Sequence, residues 1–411
     1  MLPTATLEVL PNGLKLVLVP DDHVESVCFG LFVESGSRHE LPEYAGISHF
    51  IEHMLFKGTK TRSALEISQA IEGRGGNFNA YTSEESTCFF AYMPYDALPT
   101  AVDIICDMYA NPAIPDSEFE RERHVVLEEI KMYGDEPDSV AMENLQRALF
   151  PRSALGAPVA GTPESLKAMR PTDLRRYIKS HYLPSNTVVV IVGNFDEGKA
   201  LKLVGAAFGV HRRKSTAIGC DRASTGKPIA SVTASKDIAQ TQLALGYRTF
   251  GIADGRKYAA TVMDAILGRG MSSRLFQEVR EKRGLSYDIS SRMQFFQDAG
   301  MFTVTAGLDP RRAKETLATV ERELKRVCEK PVPAAELKRT KDFLIGNFRL
   351  SHEKVTSKMF FYGQTMLFFG RLVSPQEQVE GIRAVTAADV KAAARAILRP
   401  CNRSVSWVVP K

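Results

Sequence analysis

The chain opens on two short apolar runs, LEVL at residues 7–10 and LKLVLV at 14–19, separated by Pro11-Asn12-Gly13. A Pro-Asn-Gly turn between such runs predicts a β-hairpin. Residues 24–33 predict another strand, and the aromatic stretch at 87–93 predicts a buried one. After the turn signal Gly75-Gly76-Asn77, residues 77–83 alternate polar and small side chains, the pattern of an exposed edge strand. At Ile47, Phe50 and Met54 the apolar spacing becomes three and four, widened by Ile51 and Leu55 and followed by Gly58. That is the stripe of a helix with a C-terminal glycine cap. Phe119, Val126 and Ile130 give residues 117–132, SEFERERHVVLEEIKM, a helical apolar face, with Pro115 and Asp116 as start signals. Hairpin strands interspersed with helices predict an α+β fold, helices packed on a mainly antiparallel sheet.

The pattern repeats at half the chain length. Asp173, Leu174, Pro184 and Asn186 recur as Asp389, Val390, Pro400 and Asn402 at an offset of 216, and each copy runs into an apolar strand, VVVIVG or SVSWVV. Ser117-Glu118-Phe119 recurs as Ala335-Glu336-Leu337 at an offset of 218, a register that sets Asn347 where the first copy has Glu129. The expected organisation is therefore a first domain over 1–212, a polar, basic linker at 213–228, and a homologous second domain over 229–411 beginning with a strand at 229–234. Each has enough residues for its own core.

Candidate chemistry lies in the first copy. Residues 49–53 read His-Phe-Ile-Glu-His. On a helix, His49 and His53 project from one face a turn apart, where both imidazoles reach one metal ion. Glu52 beside them can take the proton of a water attacking a carbonyl carbon. A third ligand must come from elsewhere, and the predicted helix at 117–132 offers carboxylates. Glu122 and Glu129 are seven apart and share a face, whereas Glu128 is displaced by about 100°. One of that pair would be a ligand and the other would sit behind it, orienting a ligand. The alternative is two histidines sharing a helix by accident, beside a solvated charged helix.

HFIEH, followed after the Gly-Gly-Asn stretch by VVLEEI, with Glu129 standing 76 positions past His53, resembles the inverted-motif zinc peptidases, the group that includes pitrilysin, insulin-degrading enzyme and the β subunit of the mitochondrial processing peptidase. The resemblance implies that His49, His53 and Glu129 bind one zinc ion per chain, that Glu52 is the catalytic base and that Glu122 is the accessory carboxylate. It implies that Asn79 and Ala80, within NAYTS, belong to a substrate-binding edge; such an edge adds an extended peptide through main-chain hydrogen bonds. It further implies that Arg280 and Tyr287, in MSSRLFQEVREKRGLSYDISS at 271–291, hold the substrate backbone and the tetrahedral oxyanion. Without the resemblance these two are a surface arginine and a strand tyrosine, with Gly284 ending the helix between them. Two domains of one fold are implied, the second non-catalytic because it has no H-x-x-E-H. A peptide enclosed between two such chains makes a homodimer with composite active sites the expected assembly.

A net charge of +5 with no basic run beyond Arg212-Arg213-Lys214 argues against a nucleic-acid partner. Apolar runs are short and broken by charge, so no membrane span is expected. The first residues lack a secretory or Arg-rich amphipathic leader, and six cysteines without C-x-x-C spacing read as reduced thiols, with Cys28, Cys88 and Cys106 buried. The cytoplasm is the expected location, with a mature mitochondrial matrix subunit as the alternative. The expected function is a zinc-dependent endopeptidase acting on extended or unfolded peptides inside a closed chamber. Its rivals are a catalytically silent or a half-active assembly subunit of a processing-peptidase-like complex. A silent chain would have lost a ligand or the base, and all four positions are intact here.

Overall fold

The computed structural model describes residues 5–209, 223 and 226–411. Most of the expected linker at 213–228 lies outside the described residues. Strands Thr6–Val9 (β1), Lys15–Pro20 (β2), Ser26–Val33 (β3), Asn77–Thr82 (β4), Thr87–Pro94 (β5) and Thr187–Gly193 (β6) form one sheet in the order β1-β2-β6-β3-β5-β4. Only β2 and β6 run parallel; the other neighbours are antiparallel. Strands Ser231–Lys236 (β7), Thr241–Phe250 (β8), Ser286–Phe295 (β9), Ala299–Leu308 (β10) and Arg403–Pro410 (β11) form a second sheet in the order β7-β11-β8-β10-β9, again with one parallel pair, β7 with β11. The two orders are one pattern: the last strand of each copy, β6 or β11, inserts between an outer parallel neighbour and an antiparallel one. The first sheet adds β1 at its outer side.

The chain divides into two compact units, one comprising Met1–Ile130, Ala157–Asp221 and Leu350–Pro375, the other Lys131–Gly156, Arg222–Arg349 and Gln376–Lys411. Each sheet is covered on both faces. In the first unit one face, with Leu16, Phe29, Leu31 and Ile191, packs against Phe50, Met54 and Ile105 of its own helices. The other face, with Val17, Phe32 and Val190, is covered by Met359, Tyr362 and Met366 of helix Val355–Phe369. Burial on both sides explains why β6 reads as an unbroken apolar run, TVVVIVG, and not as an alternation. In the second unit Leu243, Leu245 and Val304 face Val262, Val320 and Val390, while Ala244, Met301 and Val408 lie under Ala141, Leu145 and Leu149 of helix Pro137–Leu149.

The covering helices are thus exchanged: the one from the first half of the sequence packs on the second sheet, and the one from the second half on the first. Close approach is made possible by glycines at corresponding positions, Gly30 in β3 and Gly246 in β8. A Cβ at Gly246 would come within 2.9 Å of Leu145 and Leu149, and one at Gly30 would overlap Met359. Lys358 on the covering helix also pairs with Asp21 at 2.5 Å. No helix among the described residues is long and apolar enough to cross a membrane.

Candidate metal centre

Helix Ile47–Leu55 buries Ile47, Phe50, Ile51, Met54 and Leu55, which turns His49, Glu52 and His53 away from the core. Its own N-cap residue is Gly46, which has no side chain to satisfy the first amide groups. Glu40 supplies that cap from a distance: its two carboxylate oxygens accept from the backbone N–H of Gly46 at 2.7 Å and of Ser48 at 2.8 Å. Burial pushes the Glu40 carboxyl up to about 7, against the opposing pull of these hydrogen bonds. Ser48 then joins a buried hydroxyl chain, 3.2 Å to Tyr177 and 3.1 Å on to Ser35. Gly46 has φ +91, and a Cβ there would lie 2.5 Å from the carbonyl oxygen of Ala160. Only glycine meets both demands.

Helix Asp116–Asp135 buries Phe119, Glu122 and Val126. Phe119 stacks on Phe50 with centroids 4.8 Å apart, and this apolar contact brings the carboxylate helix against the histidine helix. Glu129 Oε2 lies 3.3 Å from His53 Nε2 and 3.7 Å from His49 Nε2. Glu122 Oε1 accepts from His53 Nδ1 at 2.8 Å, and its Oε2 lies 2.7 Å from Lys57 Nζ. The neighbouring Glu128 is exposed.

One ligand atom from each of His49, His53 and Glu129 lies within 4.8 Å of the others. A tetrahedral ion with ligands near 2.1 Å sets its donors roughly 3.4 Å apart, so this cluster needs only a small contraction to hold one. The donor set, two imidazoles and one carboxylate, suits zinc. Glu122 fixes the His53 proton on Nδ1 and so leaves Nε2 as the lone-pair nitrogen facing the cluster.

The electrostatics separate the two imidazoles. Burial, together with the charge of His53, pushes His49 down to about 4, with Glu129 opposing. Burial acts downward on His53 too, but the hydrogen bond to Glu122 and the charges of Glu129, Glu122 and Glu52 outweigh it and leave His53 above the ordinary histidine value. For Glu122, burial acts upward, yet the hydrogen bonds from His53 and Lys57 and the Lys57 charge hold it below the usual carboxylate range. Glu52 is raised by burial, an effect reduced by a 2.5 Å hydrogen bond from Thr82 Oγ1.

Thr82 is a site residue that sequence reasoning missed. It ends β4, two positions past Ala80 and so on the same face of the strand; within NAYTS that spacing was the available signal. Strand β4 lies at the edge of its sheet, with β5 its sole neighbour among the described residues. Ala80 there donates its N–H to the Asn79 side-chain oxygen at 2.8 Å. Arg280 and Tyr287 belong to the other unit. Arg280 lies in the wide helical turn Phe276–Glu281 and Tyr287 in β9. The structure brings these two together: the guanidinium carbon is 4.7 Å from the ring centroids of both Phe276 and Tyr287, and Tyr287 is 80% exposed. Gly284, φ +56, ends the helical segment and donates to the Arg280 carbonyl at 2.9 Å.

Residues 16–163 match the family model described as insulinase, peptidase family M16, and residues 168–344 match the model of the M16 inactive domain. An uncharacterized zinc protease of Streptomyces coelicolor is 37% identical over 405 residues, covering 96% of this chain and 87% of the relative. One of Bacillus subtilis is 35% identical over 384 residues, 93% of each chain. The crystal structure of a protease from Helicobacter pylori has the same fold, with a TM-score of 0.95 at 22% identity over the full length of both chains.

Proposed function

Because the chain belongs to peptidase family M16, we propose that it is a zinc-dependent endopeptidase that hydrolyses extended or unfolded peptides, with one zinc per chain held by His49, His53 and Glu129. The observation that carries this reading is the convergence of those three side chains on one point, with Glu52 on the same helix face. When bound, zinc supplies Lewis acidity to the carbonyl under attack and to the attacking water. Glu52 takes the proton of that water and returns it to the leaving amine; its raised pKa suits both halves of the transfer. Thr82 holds the Glu52 carboxylate still. Glu122 keeps His53 in the ligating tautomer.

The open side of β4 receives the peptide as an added strand, with Asn79 and Ala80 at its centre. The Asn79 side chain, which accepts the Ala80 amide in the free protein, gives way to a substrate carbonyl. Arg280 and Tyr287, stacked and exposed, steady the substrate backbone and the oxyanion. They do so in trans, within a two-fold dimer whose facing chains enclose the peptide in a chamber. On this reading the protein works in the cytoplasm, where Cys28, Cys88 and Cys106, all free thiols in the fold, stay reduced. The reading as a silent assembly subunit is disfavoured by the retention of Glu52 together with its partner Thr82.

Purified protein is expected to carry about one zinc per chain and to cleave an unstructured peptide. A chelator should stop cleavage and added zinc should restore it. Cleavage that survives complete removal of the metal, or a full zinc equivalent in a His49→Ala/His53→Ala variant, would overturn the proposal.

A further inference from the structure

The second unit has a cleft at the place that corresponds to the metal centre of the first. Helix Lys257–Gly268 follows β8 and packs on β9 and on helix Ala387–Ile397, as the histidine helix follows β3 and packs on β4 and on helix Pro171–His181. Helix Ala334–Ser351 takes the part of the carboxylate helix. In the register of 218, Thr340 stands where the first copy has Glu122, and Asn347 where it has Glu129. The cleft opens between the end of the first of these helices and the N-terminal half of the second.

Its lining is no longer that of a cation site. Two guanidinium groups, Arg269 and Arg339, share it with the hydroxyls of Ser272 and Ser273, and Phe343 forms an apolar wall. Ser273 is 3% exposed, yet its Oγ has no hydrogen-bond partner among the described residues. A buried donor left unsatisfied costs about 1–3 kcal/mol, so this hydroxyl favours the arrival of an acceptor oxygen, from a ligand or from water. The acidic side chain in the lining, Glu336, is already engaged: Arg274 holds both its oxygens, at 2.9 and 2.7 Å. Arg269 is fixed through Nε by the buried Asp264 at 2.5 Å. Arg269 and Arg274 each have a carboxylate partner, and Glu323, which also acts on Arg274, is paired with Arg326 at 3.5 Å. Arg339 is then the guanidinium that brings positive charge to the unsatisfied donor, a set that attracts an oxyanion and repels a metal ion.

We propose that this cleft binds a single oxyanion of carboxylate or phosphate size, with Arg339 and Arg269 as its charged partners and Ser273 as its hydroxyl donor. The oxyanion can be the C-terminal carboxylate of a peptide or free phosphate. The first source rests on the peptidase reading; the binding itself does not.

The test uses the full chain stripped of metal, so that no carboxylate binds at the zinc ligands. Inorganic phosphate is titrated calorimetrically at low salt, and unstructured peptides ending in a carboxylate or a carboxamide are compared by fluorescence anisotropy. Arg339 is exposed, so Arg339→Gln should fold normally and keep wild-type zinc content when metal is restored. It should weaken phosphate binding by about tenfold or more, and Ser273→Ala by severalfold. A carboxylate-over-carboxamide preference that disappears in Arg339→Gln identifies the peptide terminus as the ligand. Phosphate binding without that preference identifies a free anion. Absence of both, or affinities unchanged in both variants, overturns the inference. A chain that failed to cleave peptides but bound phosphate through Arg339 would sink the peptidase reading and leave the cleft standing.

Discussion

Glu122 touches His53 from one side and Lys57 from the other, with Oε1 2.8 Å from the ring Nδ1 and Oε2 2.7 Å from the ammonium. In the proposed zinc site it acts on the metal through a ligand, setting tautomer and ring orientation. Glu122→Gln should lower zinc affinity by roughly 10–100-fold without abolishing binding. Competition against a chelating dye measures this; an affinity equal to wild type would reduce Glu122 to a partner for Lys57.

In the proposed reaction Glu52 and Glu129 separate chemistry from ligation. Glu52→Gln should keep zinc near wild type while turnover falls about a hundred-fold or more. Glu129→Gln should lose the metal, and Glu128→Gln, at an exposed position, should do little of either. Zinc analysis alongside initial rates tests the series. If Glu128 controlled zinc content, the helix-face argument would be wrong.

The cap that Glu40 places on the histidine helix titrates near neutrality. Its folded pKa of about 7 lies above that of an unfolded glutamate, so the folded state keeps a proton that the unfolded state has released. That contribution to stability is complete below the unfolded value, near 4.5, and is lost as pH rises through about 7. Integrated over that window it amounts to as much as about 3 kcal/mol. Glu40→Gln cannot titrate. The stability of wild type relative to this variant should therefore fall between pH 5 and pH 8, as read from denaturant unfolding of the two metal-free proteins. A difference that stays flat across the window would show that Glu40 is ionised throughout.

Composite sites predict complementation. Glu52→Gln protein and Arg280→Ala/Tyr287→Phe protein should each be nearly inactive alone. After subunit exchange about half the dimers are mixed and each has one intact site, giving roughly a quarter of wild-type activity. No recovery despite demonstrated exchange would place the pair in cis or outside the reaction, and an active monomer would remove the dimer model.

What was legible in the sequence follows the range of the forces involved. The hairpin of β1 and β2, the edge strand at 77–83 and the histidine helix come from local turn chemistry and periodicity, and each forms within a residue or two of its expected bounds. The strand expected at 229–234 forms at Ser231–Lys236, a slip of two positions where polar residues blur the start. The helix expected to end at 132 runs to Asp135, because its stop is Pro137, opening the next helix. The duplication was visible because both copies carry the same Pro-Asn turn before a terminal strand. Non-local contacts left no comparable trace. Glu40 caps a helix from outside it, Thr82 reaches Glu52 across 30 positions, and nothing in PDSVAMENLQRAL or VTSKMFFYGQTMLFF says which sheet each helix covers. Gly30 and Gly246, each inside an apolar strand, were the available hint that another element comes close.

The exchange of covering helices has a temporal side. A ribosome makes the chain in order, so the first sheet is complete at Gly193 while the helix that shields Val17, Phe32 and Val190 is still more than 150 residues from being made. During that interval the nascent chain already holds every proposed zinc ligand and the proposed base, on a sheet with one face bare. An apolar surface of that kind invites chaperones or unwanted partners. It also withholds a finished fold from the half that would cut peptides until residues Val355–Phe369 arrive. Covering of the first sheet is thereby tied to synthesis of the second copy of the duplicated pattern.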